Sequence, residues 1–365
     1  MKIETIKQTY SYELFVCALF LIILPLLNFP MFFEIYRSLV FKTVPTDNYQ
    51  GLIAYFAGDT PAGYMPQIHV LLRPLSVLPL VPLYEWMPVI PLKFLPPGTD
   101  VSFARSSAAI AAAAFAYVHL TSIVTFFYAR SLGRSSTIGL VAGLLVIPMA
   151  HIARLHTLDS IVMLLVALIF ALWRRPAPQI AVLLLSIFAN EKVAIIVGAV
   201  YFFRAAAGAM RDRRLPKRET SVFFAAAICF AIYLGGAFLV RTYFGVALEQ
   251  PQFAPSHYAA NLFDSIGYVF SAKGAVQIGL PFGLMVFMFR CAMRVESGMD
   301  RIEMLSPAAL LLVASLSDVK WNIGVVVFLA FVVPLPFFAD WIVSGLLQRD
   351  RAASLDEETQ RPMLT

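Results

Sequence analysis

Charged residues are scarce in this chain. Asp, Glu, Lys and Arg make up 14% of its 365 residues, against roughly 25% in an ordinary soluble domain. Hydrophobic residues make up 60%, and the mean hydropathy is +0.78. No water-soluble fold buries that much apolar surface, so a soluble globule is excluded. Cysteine is also rare. Cys17, Cys229 and Cys291 lie in or beside apolar segments with no metal-like spacing, which argues against a disulfide framework and marks them as packing residues. There is no P-loop, no G-x-S-x-G, no H-E-x-x-H and no CxxC pair, so the common nucleotide, hydrolase and zinc signatures are missing. No metal site is predicted, and a need for a divalent metal is left open. The alternating segments of an outer-membrane barrel are absent, as is any internal repeat of the inverted-repeat transporter kind. The net charge of +6 suits basic cytoplasmic loops and gives no reason to expect nucleic acid as a partner.

What the chain has is long helix-like apolar runs. The expected fold is all-α, a polytopic membrane helical bundle of about ten transmembrane helices. They are drawn at 13–34, 107–128, 135–152, 158–173, 177–189, 192–205, 220–243, 275–292, 303–317 and 321–345. The run near Leu14–Phe33 is long enough to span, and Pro25, Asn28 and Pro30 make a poor cleavage region, so it is kept as the first helix. With the N-terminus in the cytoplasm, the inside segments hold 18 of the 28 basic residues. They include Arg130 and Arg134, Arg174 and Arg175, and the group from Arg204 to Arg218. This is the positive-inside pattern of an integral protein of a bacterial inner membrane, with both termini cytoplasmic. Residues 1–348 form one transmembrane domain. Its long first extracytoplasmic loop runs from about 36 to 106, and its apolar part, Ile68–Leu95, is expected to lie along the membrane surface. Residues 349–365 are read as a disordered cytoplasmic tail.

Ionisable residues in so apolar a chain mark candidate sites, and most fall on the outer face. Asp47, in T-D-N-Y-Q-G, is a candidate general base for a sugar hydroxyl, or an Asx turn or N-cap before Tyr49–Phe56. Arg73, in L-L-R-P-L, reads as a lipid-phosphate contact or as a side chain snorkelling to headgroups. H-I-A-R-L-H-T-L-D-S supplies His151, Arg154, His156 and Asp159. There Arg154 suits phosphate, a histidine donates or shuttles a proton, and Asp159 caps a helix or orients a histidine. N-E-K offers Glu191 and Lys192, either as a local pair or as an acid and a phosphate-binding cation in one cavity. S-D-V-K-W-N offers Asp318, Lys320 and Trp321, for phosphate binding and sugar stacking or as an interfacial anchor. His119, alone in a helix, reads as a packed or hydrogen-bonded residue.

Laid out in order, these segments resemble the polyprenyl-phosphate-sugar-dependent glycosyltransferases of the C-type (GT-C) superfamily. The likeness is carried by TDNYQGLIAYFAG, PQIHVLLRPLSVLP, ARLHTLDSIVMLL, FANEKVAIIVGAVYFF and SDVKWNIGVVVFLAFVVPLP, over roughly residues 13 to 345. It departs where such enzymes often pair two acids: Asn48 follows Asp47, and the next acid is Asp59. The resemblance implies a hexosyl- or pentosyltransferase of cell-envelope polysaccharide biosynthesis. Its donor is a polyprenyl-phosphate-linked sugar, its acceptor a glycan or lipid, and its surroundings membrane lipids. Asp47 becomes the base, with cations such as Arg73, Arg154, Lys192 and Lys320 on the leaving phosphate. The alternatives are a transporter or flippase, or a polymerase or ligase, for lipid-linked saccharides. Against a conduit, polar residues cluster at one face while helix interiors such as 107–118 stay nearly apolar.

Overall fold

A computed structural model describes residues 11–40, 47–59, 72–87, 100–152, 159–244, 264, 267–268, 271–295 and 330–346. Among the described residues the chain is all-helical, with no strand. In chain order the helices are α1 (Ser11–Leu27), α2 (Phe29–Val40), α3 (Asp47–Phe56), α4 (Pro74–Val77), α5 (Leu80–Trp86), α6 (Val101–Ser131) and α7 (Ser136–Ile152). They continue as α8 (Ser160–Ala171), α9 (Pro176–Ser186), α10 (Lys192–Asp212), α11 (Lys217–Phe244), α12 (Leu280–Val295) and α13 (Leu335–Leu346).

Among the described residues three helices, α6, α10 and most of α11, are individually long and apolar enough to cross a membrane, and α1 with α2 adds a fourth as a broken span. That is fewer than the ten spans drawn from the sequence. The difference is one of length. The 12 residues of α8 and 11 of α9 reach only about 18 and 17 Å at 1.5 Å per residue, short of a hydrocarbon core of about 30 Å. Hydropathy extended both runs across turns that the backbone does not take as helix. The expected span 303–317 and the 349–365 tail lie outside the described residues, as do residues 321–329 of the expected span 321–345. Between α1 and α2 the axis bends by 60° at Asn28, two residues before Pro30. Proline has no N–H for the bond back to Leu26, so the helix breaks there.

The bundle centres on α6. α7 and α8 pack most extensively along it, α2 crosses it, and α3 and α5 lie on its N-terminal part. α10 and α11 form a second closely packed pair, joined to α6 through α8 and α9. α6 suits this position because its inner surface is small: Ser106, Ser107, Ala108, Ala109, Ala111, Ala113 and Ala114 are all buried. α7 answers with Gly139-x-x-x-Gly143, a spacing that brings backbones together in membrane helices. A Cβ at Gly143 would stand 2.8 Å from the Ser122 carbonyl oxygen, and one at Gly139 would stand 2.9 Å from the Phe126 ring. Gly133, at φ +82°, turns the chain from α6 into α7 in a conformation that a Cβ disfavours.

The three cysteines are free, with Cys229 and Cys291 buried, as their apolar settings suggested. His119 is buried in α6 with Nδ1 2.9 Å from the Phe115 carbonyl, the packed histidine expected. Leu184, Leu185 and Phe188 near α9, and Phe224, Ile228, Ile232, Phe238 and Leu239 on α11, stand exposed. On helices this apolar, such faces suit lipid.

The two ends of the bundle differ. Arg130, Arg134, Arg174, Arg175, Arg204, Arg211, Arg213, Arg214, Lys217 and Arg218 gather at the end where α6 meets α7 and α8 meets α9. Arg134 pairs with Asp340 at 2.8 Å and lies over the Phe337 ring, tying α13 to that end. The opposite end carries α3, α4, α5 and the turns before α8 and α10. There α4 docks on the turn after α9. The Leu75 N–H donates to the Phe188 carbonyl at 2.9 Å, and Ser76 Oγ donates to the Ala189 carbonyl at 2.6 Å.

Candidate functional site

The docking of α4 carries Arg73, the residue immediately before it, into the bundle. Pro74 at the first helical position stops the chain from continuing as helix in the other direction. Arg73 is 8% exposed and needs a partner at that depth. Its Nε donates to Glu191 Oε2 at 2.9 Å and its Nη2 to Glu191 Oε1, the bidentate fork that a planar guanidinium makes with a carboxylate. Its Nη1 donates to the Tyr49 hydroxyl, and the Tyr233 phenol from α11 stands beside the same guanidinium. Burial works against the charge on Arg73, but Glu191, Tyr49, Tyr233 and Asp159 together more than offset that and hold the guanidinium protonated well beyond its ordinary range. Burial likewise pushes the Tyr49 phenol up, keeping it neutral.

One residue along, Lys192 Nζ donates to Asp159 Oδ1 at 2.9 Å. Asn190 joins them: its Nδ2 donates to the same Asp159 oxygen at 3.0 Å, and its Oδ1 accepts from the Lys192 N–H at 3.1 Å. The Asn-Glu-Lys turn thus sends alternate side chains to two neighbours, Glu191 to Arg73 and Lys192 to Asp159. The expected local pair between Glu191 and Lys192 gives way to this crossed arrangement. Two consecutive side chains point apart, and each finds a buried group of opposite sign. The capping role weighed for Asp159 is also corrected. It stands at the N-cap of α8 without a side-chain bond to the helix, because Lys192 and Asn190 engage the carboxylate.

Four sequence-predicted residues, Arg73, Asp159, Glu191 and Lys192, therefore meet in one partly buried cluster. Asp47 opens α3, two residues before Tyr49, so its backbone lies next to the cluster's helix; its side chain is outside the described atoms. His151 is partnered elsewhere, with Nδ1 3.8 Å from Glu34 Oε2 and both side chains more than half exposed. Arg154, His156, Asp318, Lys320 and Trp321 lie outside the described residues. Asp59, the other first-loop acid, accepts from the Tyr84 hydroxyl at 2.5 Å, with Arg105 over the Tyr84 ring. Burial and that carboxylate push the Tyr84 phenol up to about 12.

Tyr49 and Tyr233 were missed in the sequence. Tyr49 had a signal, since it follows Asp47 in a polar hexapeptide. Tyr233, a tyrosine within the apolar α11, had none. Among the described residues no three His, Cys, Asp or Glu side chains converge as a metal site. The cluster is a pair of cations, each matched by a carboxylate, with phenols at its edge. Such a site can bind an anion by exchanging it for a carboxylate, or can hold four chain segments together. No family model, no curated protein and no solved structure matches this chain.

Proposed function

We propose that the chain is a membrane glycosyltransferase that moves a sugar from a polyprenyl-phosphate donor to an acceptor on the extracytoplasmic face, with Asp47 as general base. One observation supports it most: Tyr49 of the first loop, Arg73 of the proline-rich segment, Asp159 of the polar turn and Glu191–Lys192 share one cluster. These are the segments that a GT-C enzyme would use around its donor. Glu191 holds Arg73 in the same two-bond fork that a phosphate monoanion would take. The donor phosphate then replaces Glu191 on Arg73, while Lys192 adds charge beside it.

In the step itself, Asp47 takes the proton of the acceptor hydroxyl. The hydroxyl oxygen forms a bond to the anomeric carbon, the bond from that carbon to the phosphate oxygen breaks, and polyprenyl phosphate leaves with the electron pair. Inversion follows from a single displacement. Cations near the leaving oxygens lower the barrier where negative charge develops. A phosphate leaves without protonation, so one carboxylate suffices. The test is turnover of the purified chain with a panel of polyprenyl-phosphate sugars. Release of polyprenyl phosphate, lost in Asp47→Asn at unchanged folded yield, is expected; an active Asp47→Asn enzyme removes Asp47 from the role.

The complete pairing of Arg73 and Lys192 favours a second reading, in which the cluster is a clasp in a noncatalytic membrane subunit. Under it, no lipid-phosphate sugar is turned over and Glu191→Gln costs only stability.

A further inference from the structure

Far from the cluster, at the arginine-rich end, an open groove of about 480 Å³ runs between α6 and α8, within the range of cavities that hold small ligands. Val124 and Phe127 of α6 and Leu168 and Ala171 of α8 form its apolar walls, and Arg174 and Arg175 stand at its mouth. No acidic residue lines it. Neither arginine has a carboxylate partner among the described residues, and both are exposed. The mouth is also held in shape. The Trp173 indole N–H donates to the Ser131 carbonyl at 3.3 Å, fixing the turn after α8 to the end of α6. The Arg174 guanidinium lies over the Trp173 ring at 5.1 Å, and Arg218 lies over the same ring at 5.1 Å. Cation–π contacts of this kind restrain a side chain that would otherwise range freely.

We infer that this groove binds one anionic phospholipid, with an acyl chain along α6 and α8 and the headgroup phosphate on Arg174 and Arg175. The walls run along a helix of membrane-spanning length, so in a bilayer their natural occupant is a hydrocarbon chain. The two unmatched guanidinium groups at the mouth then select a lipid with a negative headgroup over a zwitterionic one. The site is independent of the proposed transferase chemistry, and its failure would leave that reading untouched.

The test is thermal unfolding of the full chain in neutral detergent with added short-chain phosphatidylglycerol, short-chain phosphatidylcholine or inorganic phosphate. Saturable stabilisation by phosphatidylglycerol alone is expected. The Arg174→Gln/Arg175→Gln variant should need about 25-fold more of it for half-saturation, at about fivefold per basic group. Ala171→Leu keeps both arginines and fills the groove, so it should weaken the same response even if the arginine variant yields no folded protein. Equal stabilisation by the two lipids, an equal effect of inorganic phosphate alone, or wild-type titration of Ala171→Leu would each overturn the site.

Discussion

Removing Glu191 strands the Arg73 guanidinium among Tyr49, Tyr233 and the end of α9. Breaking one partner of a buried ion pair typically costs about 3–5 kcal/mol, whereas replacing both partners with apolar residues of similar size is often near neutral. We therefore expect Glu191→Ala to lower the melting temperature sharply and Arg73→Met/Glu191→Leu to recover most of the loss. A double variant as unstable as the single one would remove the ion pair as the cause. Tyr49 adds a pH dependence. Its phenol is raised by burial above the ordinary value of 10.0, so the folded state holds the proton more tightly than the unfolded chain does. That contribution is fully present below pH 10 and is lost as pH rises above it through the folded pKa. Melting temperature measured from pH 9 upward should fall less steeply in Tyr49→Phe than in the parent; parallel curves would remove Tyr49 as a source.

Among the elements, the α6–α7 contact is the most sharply specified. Gly143 has no room for even a methyl group, because besides the Phe20 ring at 2.7 Å a Cβ would meet the backbone carbonyl of Ser122 at 2.8 Å, which cannot swing away as a side chain can. Gly139 faces the Phe126 ring, which can rotate or shift. Gly143→Ala should therefore destabilise by about 1–3 kcal/mol, the usual cost of overpacking, and Gly139→Ala by less. Reversed order in a thermal or denaturant series would show that α7 sits differently on α6. The short α8 and α9 matter at the same scale. Because α9 ends at Ser186, α4 can dock on Phe188 and Ala189 and bring Arg73 inward. The polar turn of Asn190, Glu191 and Lys192 is legible as a break in the sequence. Its crossed pairing is not, because the partners lie 118 and 33 residues away.

For the molecule as a whole, charge separates the ends. The positive-inside rule predicts that the arginine-rich end faces the cytoplasm and that the end with Arg73 and Asp159 faces away. A membrane-impermeant thiol reagent should label Arg213→Cys only from the cytoplasmic side and Asp59→Cys only from the other, in a background where the three native cysteines are replaced. Labelling of both from one side would invert or collapse the topology and with it the proposed site of the reaction.

The sequence by itself determined that the described residues are helical and that several of their helices are apolar enough to cross a membrane. An apolar stretch in hydrocarbon must satisfy its own backbone hydrogen bonds, and a local helix does so without help from the rest of the chain. It also determined where charge is tolerated, because ionisable groups at membrane depth are costly wherever they sit. Only the tertiary structure decided which helices have the length to span alone, since a turn is set by packing and not by hydropathy. It alone decided that Arg73 takes Glu191 while Lys192 takes Asp159. Opposite charges attract without regard to chain distance, so the choice among several possible partners rests on which helix ends the small faces of α6 and α7, and the end of α9 at Ser186, bring together.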